Sequence, residues 1–170
     1  MHDSENDRTR ENHGTSEHDR AGEVAQAVEL VRGWAAGVPH VRAVLVVGSW
    51  AHGEPTAHSD LDVLVLSSSP GLLRDEDGWL ARFGGAVIRR KTWGAVEERR
   101  LRLPNGLTLE LNVADLSWAR PDPPDPGTRG VVAGGVVTVH DPDGLLRTLL
   151  TALDVPAVRP PWAAGGRGRP

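Results

Sequence analysis

Apolar positions along the chain alternate between helical and extended spacing, with Gly, Pro and Asp marking the breaks. Val24, Val28, Val31 and Ala35 recur every three or four residues, and Ala27, Leu30 and Trp34 widen the stripe, which predicts an amphipathic helix over residues 22–37. Gly37, Val38 and Pro39 stop it. Residues 41–47 form a near-continuous apolar run and predict a strand buried on both faces; residues 61–66 predict a second strand. A short helix over 50–53 and a loop over 54–58 lie between them. Residues 72–83 carry an apolar face (Leu72, Leu73, Trp79, Leu80, Phe83) and predict a helix. A short strand is expected at 86–88, while 91–94 shows no pattern. Residues 96–103 alternate poorly but lead into Pro104-Asn105-Gly106, a hairpin signal. Residues 107–113 then alternate strictly, with Leu107, Leu109, Leu111 and Val113 on one side and Thr108, Glu110 and Asn112 on the other. A proline-rich loop over 117–127, one or two helical turns over 128–133 and a strand over 136–140 follow. Asp141 or Asp143 can cap a last helix over 145–153.

This order predicts an α/β or α+β fold, a single domain with a small mixed sheet flanked by helices. The first 21 residues are rich in Asp, Glu, Asn, Arg and His and bury too little to offset ordering entropy, so a disordered tail is expected there. His2, His13 and His18 read as part of a solvated tail. The folded domain is expected over 22–154, with a flexible tail rich in Pro and Gly over 155–170 that carries Arg159, Arg167 and Arg169. The 170 residues hold six Trp and one Phe, so the core must be mainly Val, Leu and Ala. A formal net charge of −4 and the lack of a long basic block argue against nucleic acid as the main partner. With no cysteine, disulfides and thiolate metal sites are excluded. No apolar stretch approaches a membrane span and the N-terminus is polar, so a cytoplasmic protein without a membrane partner is expected.

The chemistry concentrates between the first two strands. An apolar run ends at Gly48-Ser49; Gly53 follows, and the second run opens with Ser59-Asp60-Leu61-Asp62. Alternation puts Asp60 and Asp62 on one face of a strand. Two carboxylates side by side repel unless a cation stands between them, and magnesium takes such oxygen ligands. Gly48 permits close backbone approach, and Ser49 offers a hydroxyl and an amide to phosphate. Ser59, Asp60 and Asp62 have a plainer reading as a strand-entry turn, and Ser49 as a helix cap.

These residues resemble the signature of the nucleotidyltransferase superfamily, which includes DNA polymerase beta, the aminoglycoside nucleotidyltransferases and small bacterial single-domain members, some of them antitoxins. The resemblance implies a mixed sheet of three to five strands. It implies transfer of a nucleoside monophosphate, AMP from ATP or another nucleoside triphosphate, to a hydroxyl of a small molecule or protein. Two magnesium ions would be held by Asp60, Asp62 and a third acid from a later strand, with Gly48, Ser49, Gly53 and Ser59 binding the nucleotide. Glu110 is the candidate third acid, lying on the polar side of an alternating strand; Asp115, past the alternation, is its competitor. A partner protein completing the acceptor site is one possibility within this reading. A module of the same fold that acts mainly by contact with another protein is the alternative. His52, His58, Arg89, Arg90, Lys91, Arg99 and Arg100 are possible phosphate neighbours, each with a plainer reading as a solvated charge. Trp93 and Trp118 can stack a ring or simply pack. No Gly-x-x-x-x-Gly-Lys-Ser/Thr and no Gly-x-Gly-x-x-Gly occurs, so neither a P-loop nor a dinucleotide fingerprint is present.

Overall fold

The computed structural model describes residues 5–156 and 158–166, with side chains over 19–156 and 158–163. His2, Arg167 and Arg169 lie outside the described residues, as do the side chains of His13 and His18. Six strands form one sheet: β1 (Val41–Val47), β2 (Leu61–Ser67), β3 (Ala86–Trp93), β4 (Val96–Arg102), β5 (Thr108–Asp115) and β6 (Val137–His140), in the spatial order β3-β4-β5-β2-β1-β6. The β2·β5 pair is parallel and the others are antiparallel, so the sheet is mixed. Helices α1 (Glu5–Ala36), α2 (Ser49–His52), α3 (Gly71–Arg74), α4 (Pro126–Val132) and α5 (Leu145–Ala152) flank it. Among the described residues no helix is long and apolar enough to cross a membrane.

Two apolar layers sandwich the sheet. On one side Val24, Val28, Val31 and Trp34 of α1 pack on Leu61, Val63 and Val65 of β2 and on Leu109 and Leu111 of β5. On the other side Leu146, Leu149 and Leu150 of α5, with Val132 of α4, cover Ala43, Leu45, Leu64, Leu66 and Ala114. That second cover involves β2 only from Leu64 onward. Further toward the start of β2 the same face carries Asp62 instead of an aliphatic side chain. The carboxylates therefore stand where the apolar layer ends.

Several elements differ from the sequence pattern. The α1 backbone is helical from Glu5 rather than from Gly22. Once Val24, Val28 and Val31 are buried, each further turn adds hydrogen bonds at little nucleation cost, and no proline interrupts the segment. The single helix expected over 72–83 is two pieces, α3 and a 3₁₀ helix at Gly78–Phe83. Between them Asp77 turns toward β4, accepting a hydrogen bond of 2.9 Å from Arg99 Nε, and Trp79 stacks on Trp34 with ring centroids 4.9 Å apart. The sheet has six strands rather than three to five, because residues 86–93 form a full strand. Its Arg89, Arg90, Lys91 and Thr92 hide the alternation, and an edge strand needs few apolar residues. A 3₁₀ turn, Leu116–Ala119, opens the proline-rich loop, and a second, Pro161–Gly166, lies against α1 with Trp162 packed on the core. Of the two expected caps it is Asp141 that serves, accepting from Leu146 N at 3.2 Å and Arg147 N at 3.1 Å.

Candidate active site

The parallel register of β2 and β5 sets Asp62 directly beside Glu110. Paired residues in neighbouring strands point to the same face, and Asp60, two positions before Asp62, shares it. The three acids predicted from the sequence thus converge on one side of the sheet. Asp115, the competing third acid, does not join them; its Oδ1 accepts the Ser117 amide at 2.8 Å, and that bond holds its carboxyl below the usual range.

Gly48 completes the wall on the β1 side. Val47 pairs with Asp62, which places the next residue against the Asp62 carboxyl. Gly48 has φ 71° and ψ −157°, a region open essentially to glycine, and a Cβ there would stand 2.4 Å from Asp62 Oδ2. Ser49 opens α2 at the same bend. Gly53 closes that helix in the left-handed conformation, φ 77°, with its N–H on Ser49 O, so its visible role is to end the turn. Ser59 takes the Thr56 amide on its Oγ at 2.8 Å and holds the loop that delivers Asp60. His52 lies against Gly134, whereas His58 lines a polar cavity of about 350 Å³ beside Asp60 that also meets Arg102 and Thr108.

The cation that bridges the cluster is Arg100, with Arg89 Nη2 farther out at 3.9 Å from Glu110 Oε2. Arg100 sits opposite Glu110 in the β4·β5 pair, donates from Nη2 to Glu110 Oε2, and brings Nη1 to 3.3 Å from Asp60 Oδ2. Its buried Nε lacks a hydrogen-bond partner among the described residues and is 3.7 Å from Glu98 Oε1. Asn112 Nδ2 donates to the other oxygen of Glu110 at 3.2 Å. Glu98, fully buried, is held by Arg89 Nη2 at 2.8 Å and by the Trp93 indole N–H at 2.9 Å. The Arg89 hydrogen bonds keep its carboxyl below the ordinary glutamate range despite burial. Asp62 is the acid left uncompensated. Burial first, then Glu110 and Asp60, push it up to about 7, and Arg100 offsets this only in part.

From the sequence, Arg89 and Arg100 are two among several possible phosphate neighbours or solvated charges, and Glu98 is not singled out. The signal was present in the hairpin: counting outward from Pro104-Asn105-Gly106 pairs Arg100 with Glu110 and Glu98 with Asn112. An arginine opposite a candidate catalytic acid is its natural counterion. Arg100→Gln is expected to lower the melting temperature by several degrees at pH 8, where Asp62 is ionised beside Asp60 and Glu110, and by less at pH 5.5, where Asp62 keeps its proton. Thermal unfolding at the two pH values measures the difference.

A divalent cation suits this donor set in its chemistry, since all the donors are carboxylate oxygens. The arrangement around Arg100 is not itself a finished centre: among the described residues no group of three His, Cys, Asp or Glu is placed to hold a metal ion. The guanidinium occupies the space between Asp60 and Glu110, so full use of Glu110 as a ligand requires Arg100 to turn aside.

No known protein-family model and no curated protein matches the chain. Among solved structures it is similar to the Cid1 poly(U) polymerase, at 14% identity and a TM-score of 0.39, over 59% of this chain and 30% of that one. The match therefore spans less than a third of the polymerase's length. A likeness this distant leaves the chemistry to be argued from the side chains.

Proposed function

We propose that the chain is a nucleotidyltransferase that moves a nucleoside monophosphate, AMP from ATP, onto a hydroxyl. The observation that carries this reading is Asp62 and Glu110 side by side in parallel register, with Asp60 on the same face and side-chain-free Gly48 against Asp62. Asp60, Asp62 and, once Arg100 turns, Glu110 would hold the magnesium ions, which neutralise phosphate charge and ease the departure of pyrophosphate. The chain's own contributions are positional. The Gly48-Ser49 bend lets the triphosphate approach the backbone beside Asp62. Arg100, freed from Glu110, remains near enough to face developing negative charge. Asn112 steadies Glu110, and the buried Glu98 carboxylate keeps Arg100 in the neighbourhood when it turns. A carboxylate of the cluster takes the proton of the attacking hydroxyl.

The test is release of pyrophosphate from each nucleoside triphosphate in the presence of magnesium and a panel of hydroxyl acceptors. Release is expected with the wild type and absent with Asp60→Ala/Asp62→Ala. Equal release from the double variant would sink the assignment. Tight binding of a partner protein with no turnover on any acceptor would favour the contact module instead.

A further inference from the structure

The sheet face that carries the acids continues into an apolar hollow. Along β4 and β5 the pairs run Arg100 with Glu110 and Glu98 with Asn112, and then reach Val96 and Ala114. There the hollow opens, about 550 Å³ in volume, with Trp93, Val96, Ala114, Trp118 and Val131 among its walls. Its size is that of a small-molecule site. Its nearest lining residue on β5, Ala114, lies four residues from Glu110, about 13 Å of strand rise.

Trp93 and Val131 remain 52% and 40% exposed, so the walls are not filled by the chain itself. Trp93 is nevertheless oriented. Its indole N–H is bound to Glu98, and the Lys91 ammonium stands over its ring at 3.3 Å from the centroid. The same Glu98 lies 3.7 Å from Arg100, so one buried carboxylate links the aromatic wall to the acid cluster. The acidic residues at the rim are engaged: Asp115 caps Ser117, and Asp125 accepts from Gly127 N at 2.8 Å and Thr128 N at 3.2 Å. The passage toward the acids carries Lys91, Arg89 and Arg100. A polycationic acceptor therefore meets like charge and apolar wall, whereas a flat apolar ring meets two indoles.

We propose that this hollow seats the acceptor, and that the acceptor is an alcohol borne on a flat aromatic ring. The inference rests on the proposed nucleotidyl transfer and names its second substrate class. The Gly48-Ser49 bend lies on the β1 side of Asp62 and the hollow on the β5–β4 side, so the two substrates approach the acids from opposite flanks. In the reaction the acceptor oxygen bonds to the α-phosphorus. The bond from that phosphorus to the pyrophosphate oxygen breaks with its electron pair, and the hydroxyl proton passes to a carboxylate of the cluster.

The probe is 2-(2-naphthyl)ethanol, with kanamycin as the polycationic comparison and a fluorescent ATP analogue reporting the nucleotide site. Binding to the full chain is measured by calorimetry for wild type, Trp93→Ala and Val131→Glu; the second variant alters an exposed residue at the mouth and leaves the core intact. Naphthylethanol is expected to bind wild type and to lose about tenfold in affinity in both variants, while the ATP analogue binds all three equally. Unchanged naphthylethanol binding in both variants overturns the proposal, as does kanamycin binding in its place. Parallel loss of the ATP analogue also overturns it, because the hollow would then hold the nucleotide's base. Failure of the nucleotidyl transfer reading shows separately, as absence of magnesium-dependent pyrophosphate release while the naphthylethanol pattern persists.

Discussion

Asp62→Asn is expected to make the protein more stable at neutral pH and to cut nucleotidyl transfer by about a thousandfold. The two effects share one cause. Burial, with Glu110 and Asp60 beside it, raises the Asp62 carboxyl to about 7. Between its unfolded value and about 7 the folded chain keeps a proton that the unfolded chain releases, so the contribution of Asp62 to stability is most favourable below that window and falls as pH rises through it. Above pH 7 the native state carries the full cost of an ionised, crowded carboxylate. An amide of the same shape removes that cost. The melting temperature of Asp62→Asn should exceed that of wild type by about 5 °C at pH 8 and equal it at pH 3.5. The same substitution removes a charged ligand and proton acceptor, so transfer collapses. A residue kept for structure would show the opposite sign at pH 8, with stability and activity falling together. Magnesium should narrow the gap in wild type by supplying the missing positive charge, and should leave Asp62→Asn unmoved. Melting curves at two pH values with and without magnesium, beside pyrophosphate release, measure each arm. Retained transfer would remove Asp62 from the reaction.

How far the sequence reached depends on where each piece of information is stored. The strands of 41–47 and 61–66 were legible because their runs are aliphatic and buried. Strict alternation over 107–113 put Glu110 on the polar side, and that polarity is what brings it to Asp62. The order of strands was not legible, since nothing local says that β5 returns parallel to β2 while β1 pairs on the other side. The start of β3 was expected at 86–88, but its continuation to Trp93 was not legible because its residues there are polar and face charges: Lys91 faces Glu98 and Thr92 faces Glu97. Burial arguments are blind to an edge that is stabilised in this way. The Arg100–Glu110 pair stood between, encoded by the turn at Pro104-Asn105-Gly106 yet meaningful only once Glu110 is known to lie beside Asp62. Sequence alone supplied the acids but gave Arg100 no role as their counterion, because a carboxylate motif has recognisable spacing and a counterion need only arrive in space.

Gly48→Ala is expected to reduce transfer by about a hundredfold with a moderate loss of stability, and the comparison with another glycine isolates the reason. An alanine at φ 71° and ψ −157° costs roughly 1–3 kcal/mol of backbone strain. Its methyl would also stand 2.4 Å from Asp62 Oδ2, so the carboxyl must rotate. Turning a side-chain end is cheap in stability, but it moves the acid away from Asp60 and Glu110 and fills the space left for the phosphates. Gly84, at φ 67°, is left-handed too, yet a Cβ there meets nothing within 4 Å. Gly84→Ala should therefore lower the melting temperature by a similar few degrees and leave kcat/KM near wild type. Transfer in Gly48→Ala/Asp62→Asn should be no lower than in Asp62→Asn alone if Gly48 acts by leaving room for that carboxyl. A further large drop in the double variant means that Gly48 meets the triphosphate directly, through its own backbone.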